Sequence, residues 1–265
     1  MDQMPAIGLG TWPLKGAECT DTVAMALSLG YRHIDTAQMY GNEAAVGAGI
    51  AAAGVARDDL FVVTKIWPNS FEDGSALARA RESIATLGVG AVDQLLIHWP
   101  NPRLPVSAMI DVMLEAQAEG LATRTGVSNF PVALLREAAA MTEIATNQVE
   151  FHALLDQRKL LAAANDLGIR LTAYMPIARG KVPEHPEVRR IAEAVGALPA
   201  QVALAWVTAK EVTPVCMSTK RANLASNLAA QQIKLSDEDM ATLDALSQPS
   251  QRFCERDSDN PVWDI

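Results

Sequence analysis

The sequence predicts an α/β protein, a (β/α)8 TIM barrel of eight parallel strands, each followed by a helix. Short apolar runs alternate with helix-like stretches rich in Ala and Leu along the whole chain. The polar residues that end three successive runs, Asp35, Lys65 and His98, stand about thirty residues apart, which suits one strand, one helix and two turns. The 265 residues also fit one such barrel of roughly 250 residues, although two small domains would fit on length alone.

Each predicted strand is short and rich in apolar or β-branched residues, and we expect strands at residues 7–11, 31–35, 60–65, 92–98, 122–128, 143–148, 170–174 and 212–217. Between and after the strands we expect helices at residues 21–29, 43–53, 72–87, 106–119, 131–141, 157–167, 187–195, 199–209, 223–228 and 236–247. The last helix begins at Ser236 with an N-cap and an acidic first turn. Because no linker-like segment interrupts the pattern, we expect residues 1–265 to form a single domain. The polar tail after residue 248 should lie over the barrel mouth.

Composition and charge argue against several kinds of partner. The chain is 49% hydrophobic and 20% charged, as in globular proteins with a full core, and its net charge of −9 argues against nucleic acid. The cysteines, Cys19, Cys216 and Cys254, lack metal-type spacing and are interpreted as reduced thiols. We find no signal peptide pattern and no stretch of roughly 18 apolar residues that would span a membrane. We therefore expect a cytoplasmic monomer that binds a small molecule, without nucleic acid or membrane partners.

Four polar residues, Asp35, Tyr40, Lys65 and His98, follow or end neighbouring predicted strands. The carboxyl ends of parallel strands meet at one mouth of a barrel, so these side chains should converge there. A phenol, an ammonium, a carboxylate and an imidazole can deliver a proton without a metal. Taken singly, each has an ordinary explanation as a turn residue, a loop aromatic, a solvated strand end or a core imidazole. Their convergence favours an active site.

Other motif interpretations fit the sequence less well. His33 stands two residues before Asp35, which permits a metal-binding interpretation, but no further His or Cys follows at suitable spacing, so His33 is interpreted as structural. Gly8 and Gly10 lack the third glycine and the following helix of a dinucleotide-binding fold. The run 126–130 ends in Phe130, where a nucleophile elbow needs Gly. The sequence contains neither a Walker pattern nor His-Glu-x-x-His.

The chain resembles the aldo-keto reductase superfamily nearly from end to end. Seven family motifs occur in family order: Gly8-Leu9-Gly10-Thr11-Trp12, Asp35-Thr36-Ala37-Gln38-Met39-Tyr40-Gly41-Asn42-Glu43, Thr64-Lys65-Ile66-Trp67, Leu96-Ile97-His98-Trp99-Pro100, Gly126-Val127-Ser128-Asn129-Phe130, Asn147-Gln148-Val149-Glu150 and Ser218-Thr219-Lys220-Arg221. The short loops and the run Tyr174-Met175-Pro176 resemble the small bacterial 2,5-diketo-D-gluconate reductases of the B type. The resemblance implies a (β/α)8 barrel that binds a nicotinamide cofactor, NADP(H), across its top.

The resemblance also implies a role for each catalytic candidate. Tyr40 would donate a proton to the carbonyl oxygen, and His98 would hydrogen-bond that oxygen. A free phenol has a pKa of about 10, and we expect the neighbouring Lys65 ammonium to favour phenolate and make Tyr40 a better acid. Asp35 would keep Lys65 charged and oriented.

The cofactor contacts implied by the resemblance fall into groups. Ser128, Asn129 and Gln148 would bind the nicotinamide amide, and Tyr174 would stack on the ring, although alone Tyr174 fits an ordinary strand aromatic. The remaining cofactor contacts would be Gly10, Thr11, Trp12, Met175, Pro176, Ile177, Ala178, Gly180, Lys181, Met217, Ser218, Thr219, Lys220, Arg221 and Asn227. The substrate pocket would be formed by Trp12, Trp67, His98, Trp99 and Trp263, although one or two tryptophans could simply fill the core.

These features predict an NADPH-dependent reductase of small dicarbonyls, aldehydes and keto-sugar acids. The common family pattern has a Lys and an Arg where this chain has Met217 and Asn223, so we expect a weakened NADPH preference that depends on Lys220 and Arg221. An NAD(H)-preferring alcohol dehydrogenase and a cofactor-sensing, non-catalytic subunit are the alternatives. Because few Arg or Lys residues lie near the predicted mouth, we expect no strict need for a carboxylate on the substrate.

Overall fold

The computed structural model describes residues 4–249, 251–256 and 259–264. In these residues eight strands form a closed barrel in chain order, and every neighbouring pair is parallel. The strands are β1 (Gly8–Gly10), β2 (His33–Asp35), β3 (Phe61–Ile66), β4 (Val92–Ile97), β5 (Ala122–Ser128), β6 (Thr146–Glu150), β7 (Arg170–Tyr174) and β8 (Thr213–Cys216). The predicted (β/α)8 barrel is confirmed.

Helices surround the barrel. Those in the described residues are α1 (Gly16–Ser28), α2 (Glu43–Ala53), α3 (Asn69–Glu72), α4 (Ala76–Leu87), α5 (Val106–Ala118), α6 (Val132–Ala139), α7 (Arg158–Asp166), α8 (Lys181–Glu184), α9 (Pro186–Ala194), α10 (Pro199–Ala209), α11 (Arg221–Ala229) and α12 (Asp237–Asp244). Short 3₁₀ turns occupy Gln38–Tyr40, Arg57–Asp59, Ala178–Gly180 and Ala230–Gln232. Ser236 caps α12 by accepting a hydrogen bond from the Asp239 amide, as its sequence predicts.

The burial of β3 shows how the barrel directs side chains to the site. All six residues of this strand are buried, because one face lines the barrel interior and the other contacts the helices. Phe61 and Val63 pack inside the barrel with Leu96. Since side chains alternate along a strand, Lys65 also faces inward, one layer nearer the carboxyl end.

One predicted helix, residues 72–87, is wrong at its start. The segment forms two helices, α3 and α4, separated by a turn in which Gly74 has a φ of 75°. The Asp73 carboxylate accepts a hydrogen bond from the Ser75 amide at 2.9 Å, which favours the turn over a continuing helix. Other boundaries also differ, since α1 begins at Gly16, the predicted strand 143–148 is observed at Thr146–Glu150, and the predicted helix 236–247 ends at Asp244.

A close approach of α2 to α4 fixes the helix that follows Tyr40. A Cβ atom on Gly47 would lie 2.0 Å from the carbonyl oxygen of Leu87, so a larger residue would push the two helices apart.

Among the described residues, no single helix is both long and apolar enough to cross a membrane. The pair α9 and α10 meets those criteria only when taken together, and the two helices are bent by 90° where they join.

Candidate active site

The four catalytic candidates meet at the carboxyl ends of the strands. Asp35 ends β2, Lys65 lies near the end of β3, His98 directly follows β4, and Tyr40 lies in the 3₁₀ turn after β2. Asp35, Tyr40 and His98 line a cavity of about 430 Å³. Lys65 is completely buried beside Asp35. Residues far apart in sequence are therefore brought together by strand order alone.

The Asp35 carboxylate is held through both of its oxygens. Lys65 Nζ donates to Oδ1 at 2.6 Å, and Gln148 Nε2 donates to Oδ2 at 2.7 Å. Lys65 also donates to the carbonyl oxygen of Thr36 at 2.7 Å. Burial lowers the pKa of the Lys65 ammonium, and the Asp35 carboxylate opposes that shift.

The Tyr40 phenol lies between the ammonium and the imidazole. Lys65 Nζ is 5.3 Å from the centroid of the Tyr40 ring, and the His98 ring centroid is 5.6 Å from it. Burial raises the pKa of Tyr40 well above its usual range, and the negative charge of Asp35 adds to the shift. The expected increase in Tyr40 acidity is therefore wrong for this structure. The reason is that burial, which disfavours the charged phenolate, is the largest cause of the shift, and the negative charge of Asp35 acts in the same direction.

His98 is held as a neutral imidazole. Burial lowers its pKa well below the usual range, and the positive charges of Lys65 and Arg256 act in the same direction. Its Nδ1 atom is buried and has no hydrogen-bond partner among the residues that the structure describes. At neutral pH the ring can therefore make a hydrogen bond without adding a charge.

Asn42 braces the turn that carries Tyr40. Its side-chain nitrogen donates to the carbonyl oxygens of Thr11 and Leu14, each at 3.1 Å. Its side-chain oxygen accepts a hydrogen bond from the Thr36 hydroxyl at 2.7 Å. Lys15 also donates through Nζ to the Tyr40 carbonyl oxygen. The loop after β2 is thereby tied to the loop after β1.

The candidates for the nicotinamide end form a connected polar wall of the cavity. Tyr174 donates its hydroxyl hydrogen to Asn129 Oδ1 at 2.7 Å, and Asn129 Nδ2 donates to the His98 carbonyl oxygen at 3.0 Å. Ser128 Oγ donates to the Gln148 carbonyl oxygen at 2.8 Å. These side chains all line the cavity, and their amides and hydroxyls match the donors and acceptors of a carboxamide. The residues present therefore fit a nicotinamide.

The other cofactor candidates are divided between the cavity wall and its surroundings. The cavity is lined by Gly10, Thr11, Trp12, Met175, Pro176, Ile177, Met217 and Asn227. Its lining does not include Ala178, Gly180, Lys181, Ser218, Thr219, Lys220 or Arg221, all of which the structure describes. Ala178 is buried, and Lys181 Nζ lies 4.0 Å from Glu184 Oε2. Lys220 and Arg221 are exposed at the start of α11.

Three of the four tryptophans that are predicted to form the substrate pocket line the cavity. These are Trp12, Trp67 and Trp99. Trp67 meets the His98 ring edge to face, with 5.2 Å between centroids. Trp263 does not line the cavity within the described part of the chain, and it packs against Trp99 with centroids 6.1 Å apart.

The sequence interpretation missed several cavity residues. They are Met39, Arg179, Val215, Cys216, Cys254, Glu255 and Arg256. The presence of Arg179 and Arg256 shows that the expected scarcity of cations at the mouth is wrong. Tail residues reach the cavity, as expected, because Glu150 accepts hydrogen bonds from the Phe253 amide at 2.7 Å and the Cys254 amide at 2.9 Å. The one feature of the sequence that indicates this contact with the tail is that a carboxylate, Glu150, ends a buried strand.

His33 lies inside the barrel, away from the cavity. Its ring packs edge to face on Phe61, with 5.2 Å between centroids, and neither ring nitrogen has a hydrogen-bond partner in the described residues. Burial lowers the pKa of His33 to about 4. Among the residues that the structure describes, no three His, Cys, Asp or Glu side chains cluster as metal ligands would.

A second cavity of about 330 Å³, lined partly by Met4, Phe61 and Arg170, lies at the opposite end of the barrel.

An eight-stranded barrel with an ammonium–carboxylate pair, a phenol and an imidazole at its mouth defines a class of barrel oxidoreductases, and comparison with known proteins agrees. Residues 6–248 match the Aldo/keto reductase family. The chain is 42% identical to the methylglyoxal reductase DkgB of Yersinia pestis, over 98% of this chain and 99% of that protein. It is equally similar to DkgB of Escherichia coli O157:H7, at 42% identity over the same shares.

Solved structures are similar over almost the whole chain. A crystal structure described as a candidate 2,5-diketo-D-gluconic acid reductase B has a TM-score of 0.96 and 39% identity, covering 99% of this chain and 94% of that one. An aldose reductase from Schistosoma japonicum has a TM-score of 0.89 and 29% identity, covering 94% and 91%. The chain belongs to the Aldo/keto reductase family. It is an NAD(P)-dependent oxidoreductase that acts on carbonyl groups, as the sequence predicts.

Proposed function

We propose that this protein reduces small aldehydes and ketones with NADPH, and that Tyr40 donates the proton. The observation that carries the proposal is the position of Tyr40 and His98, side by side in one cavity, above the buried Lys65–Asp35 pair. The relatives named as a methylglyoxal reductase and a diketogluconic acid reductase support dicarbonyls and keto-sugar acids as substrates.

In the proposed mechanism a nicotinamide, when bound, would supply the hydride for the carbonyl carbon. Ser128, Asn129 and Gln148 would hold its amide, and the Tyr174 ring would lie against it. His98, neutral at working pH, would donate a hydrogen bond to the carbonyl oxygen and orient it.

Tyr40 then donates its proton to the same oxygen. Its raised pKa keeps the phenol protonated throughout the neutral range, so the proton is always available. An alkoxide is a much stronger base than a phenolate, so this transfer is favourable even from a weakly acidic phenol. The Lys65–Asp35 pair, fixed below Tyr40, contributes an oriented field without itself exchanging a proton.

The proposed preference for NADPH rests on two exposed cations. Lys220 and Arg221 lie at the start of α11, the helix that also contributes Asn227 to the cavity wall. Uncharged Met217 and Asn223 favour a weaker preference, and they are the specific reason to keep an NAD(H)-preferring alcohol dehydrogenase as the second candidate. A single domain and a cytoplasmic monomer, predicted from the sequence, remain part of the proposal.

The test is turnover of a panel of aldehydes and ketones that includes methylglyoxal and a 2-keto sugar acid, measured as the loss of NADPH absorbance. Wild type should reduce several members, and Tyr40→Phe, as the matched control, should reduce them at least about 10²-fold more slowly. Tight cofactor binding without turnover of any substrate would contradict the proposal and support a cofactor-sensing subunit.

A further inference from the structure

Polar residues of four consecutive strands line the second cavity, near the amino ends of those strands. They are Gln94 on β4, Arg124 on β5, Thr146 on β6 and Arg170 on β7. The strand register places Gln94 beside Arg124, and Thr146 beside Arg170. The cavity volume of about 330 Å³ is within the range of small-molecule sites. Because barrel interiors are usually filled by bulky branched apolar side chains, both the polarity and the space are unusual.

An apolar layer separates the second cavity from the reacting groups. Phe61 lines this cavity and packs inside the barrel with Met4, Val63 and Leu96. Val63 lies on β3 between Phe61 and Lys65 and is only 1% exposed, and Leu96 is fully buried. In the described part of the chain the two cavities share no lining residue. A molecule in the second cavity would therefore not touch the reacting groups.

Gln94 brings a buried amide donor to the second cavity. The residue is only 2% exposed, and its Oε1 atom accepts a hydrogen bond from Thr146 Oγ at 3.1 Å, which fixes the orientation of the amide. Its Nε2 atom has no hydrogen-bond partner among the residues that the structure describes. A buried donor without a partner is costly, and an oxygen atom of a ligand would satisfy it.

Arg170 adds a cation that a ligand can reach from solvent. Its guanidinium donates through Nη1 to the Met4 carbonyl oxygen over a long 3.4 Å, and no carboxylate pairs with it within the described ranges. The residue is exposed, so its remaining donors are accessible. Glu143 also lines the cavity, but it is exposed and water screens its charge. The free donors of Gln94 and Arg170 thus favour a ligand that supplies acceptors.

We propose that the second cavity is a ligand site for a small organic oxyanion, with the oxyanion bound by Arg170 and a further ligand oxygen bound by Gln94 Nε2. A guanidinium can form two parallel charge-assisted hydrogen bonds to a carboxylate or to a phosphate. Phe61 supplies an apolar contact, and the cavity is larger than a bare ion needs, so the ligand is organic. This site does not depend on the proposed carbonyl reduction.

The test is calorimetric titration of the full chain with malonate and, separately, with glycerol 3-phosphate. Wild type should bind at least one of them with a dissociation constant of about 1 mM or lower. Binding of malonate alone identifies a carboxylate as the recognised group, and binding of glycerol 3-phosphate alone identifies a phosphate. Failure of wild type to bind either anion overturns the proposal.

Two variants assign the binding to the second cavity. Arg170→Gln should weaken binding of the anion about tenfold or more, the scale of one charge-assisted hydrogen bond. Gln94→Met removes the amide donor at similar volume and should weaken binding about threefold or more. Arg170→Gln changes an exposed side chain, so it decides the matter if Gln94→Met loses its folded circular dichroism spectrum. Unchanged affinity in Arg170→Gln overturns the proposal.

The matched control is Arg136→Gln, which removes the same charge from the exposed side of α6. Arg136 does not line the second cavity in the described residues, so the affinity for the anion should be unchanged. An equal loss in Arg136→Gln would show that only net charge matters and would overturn the assignment. The titration is repeated at saturating NADPH, where binding should persist. Loss of binding there would place the anion in the active-site cavity and would also overturn the proposal.

Discussion

Lys65 Nζ donates to Asp35 Oδ1 over 2.6 Å, in a site where neither side chain has appreciable contact with water. Both partners have further contacts, because Lys65 also donates to the Thr36 carbonyl oxygen and Asp35 accepts from Gln148. A buried ion pair is tolerated when its remaining donors and acceptors are satisfied in this way. The pair therefore links β2, β3 and β6 directly below the reactive groups.

We predict that removing one charge of this pair lowers the free energy of unfolding more than removing both charges. Lys65→Met leaves an uncompensated buried carboxylate and should lower the free energy of unfolding by about 3–5 kcal/mol. The double variant Asp35→Asn/Lys65→Met should lose less than the sum of the two single changes. Urea unfolding of all four proteins measures the coupling. Additive losses would mean that the two charges do not interact as the 2.6 Å contact indicates.

Tyr40→Phe should separate chemistry from binding. The change removes only the hydroxyl, while the ring contacts with Lys65 and His98 remain. Turnover should fall by about 10² or more, with the dissociation constant for NADPH within about twofold of wild type. Stopped-flow reduction rates and cofactor fluorescence titration measure the two quantities. Near-normal turnover by the purified variant would remove Tyr40 from the role of proton donor.

His98→Ala should impair aldehyde reduction far more than NADPH affinity, because the proposed contact is with the substrate oxygen. Since Asn129 bonds the main-chain oxygen of His98, that link to the cofactor wall survives the substitution. The lowered pKa of His98 means that the ring stays neutral above about pH 6.5, so wild-type kcat/KM should lose no His98-dependent activity until the pH falls below that value. Comparable losses of cofactor affinity and turnover would indicate a structural histidine.

The barrel and the meeting of the four polar residues could be predicted, because both depend on local patterns. A strand's apolar run marks where it ends, and parallel order brings Asp35, Lys65 and His98 to one mouth. The direction of the Tyr40 pKa shift could not be predicted. It depends chiefly on how completely the fold buries the phenol, and the negative charge of Asp35 adds to the shift.

The sequence pattern predicts that the tail lies over the barrel mouth, but it does not predict which tail residues reach the cavity. Arg256 reaches the cavity because Glu150, about a hundred residues earlier, accepts the amides of Phe253 and Cys254. Such contacts involve backbone groups, which carry no residue-specific signal. The break between α3 and α4 was missed for a similar reason, since Asp73 forms its turn through one side-chain hydrogen bond to a backbone amide.

His33 should make the protein acid-sensitive. Its pKa is about 4 in the folded state and about 6.5 when unfolded, so between these values the unfolded chain binds the extra proton. The free energy of unfolding should therefore fall as the pH falls through this window, by up to about 3 kcal/mol from this group. The nearby charges of Asp35 and Lys65 act on it in opposite directions.

The variant His33→Leu tests this acid sensitivity. Its free energy of unfolding should fall less steeply than that of wild type between pH 6.5 and pH 4, because the proton uptake of His33 is removed. Denaturant unfolding at several pH values gives both slopes. Identical slopes would show that other groups cause the acid sensitivity.

The last prediction concerns cofactor choice, for which the chain lacks two family cations. A 2′-phosphate carries close to two negative charges, and Lys220 and Arg221 are exposed at the start of α11, the helix that contributes Asn227 to the cavity wall. Replacing both by Ala should raise KM for NADPH by about tenfold or more and leave KM for NADH nearly unchanged. Because the cations are exposed, added salt should also reduce the NADPH preference of wild type. The double variant Arg79→Ala/Arg81→Ala, with the same loss of charge on α4, controls for net charge. A parallel rise of both Michaelis constants would mean that the 2′-phosphate is held elsewhere.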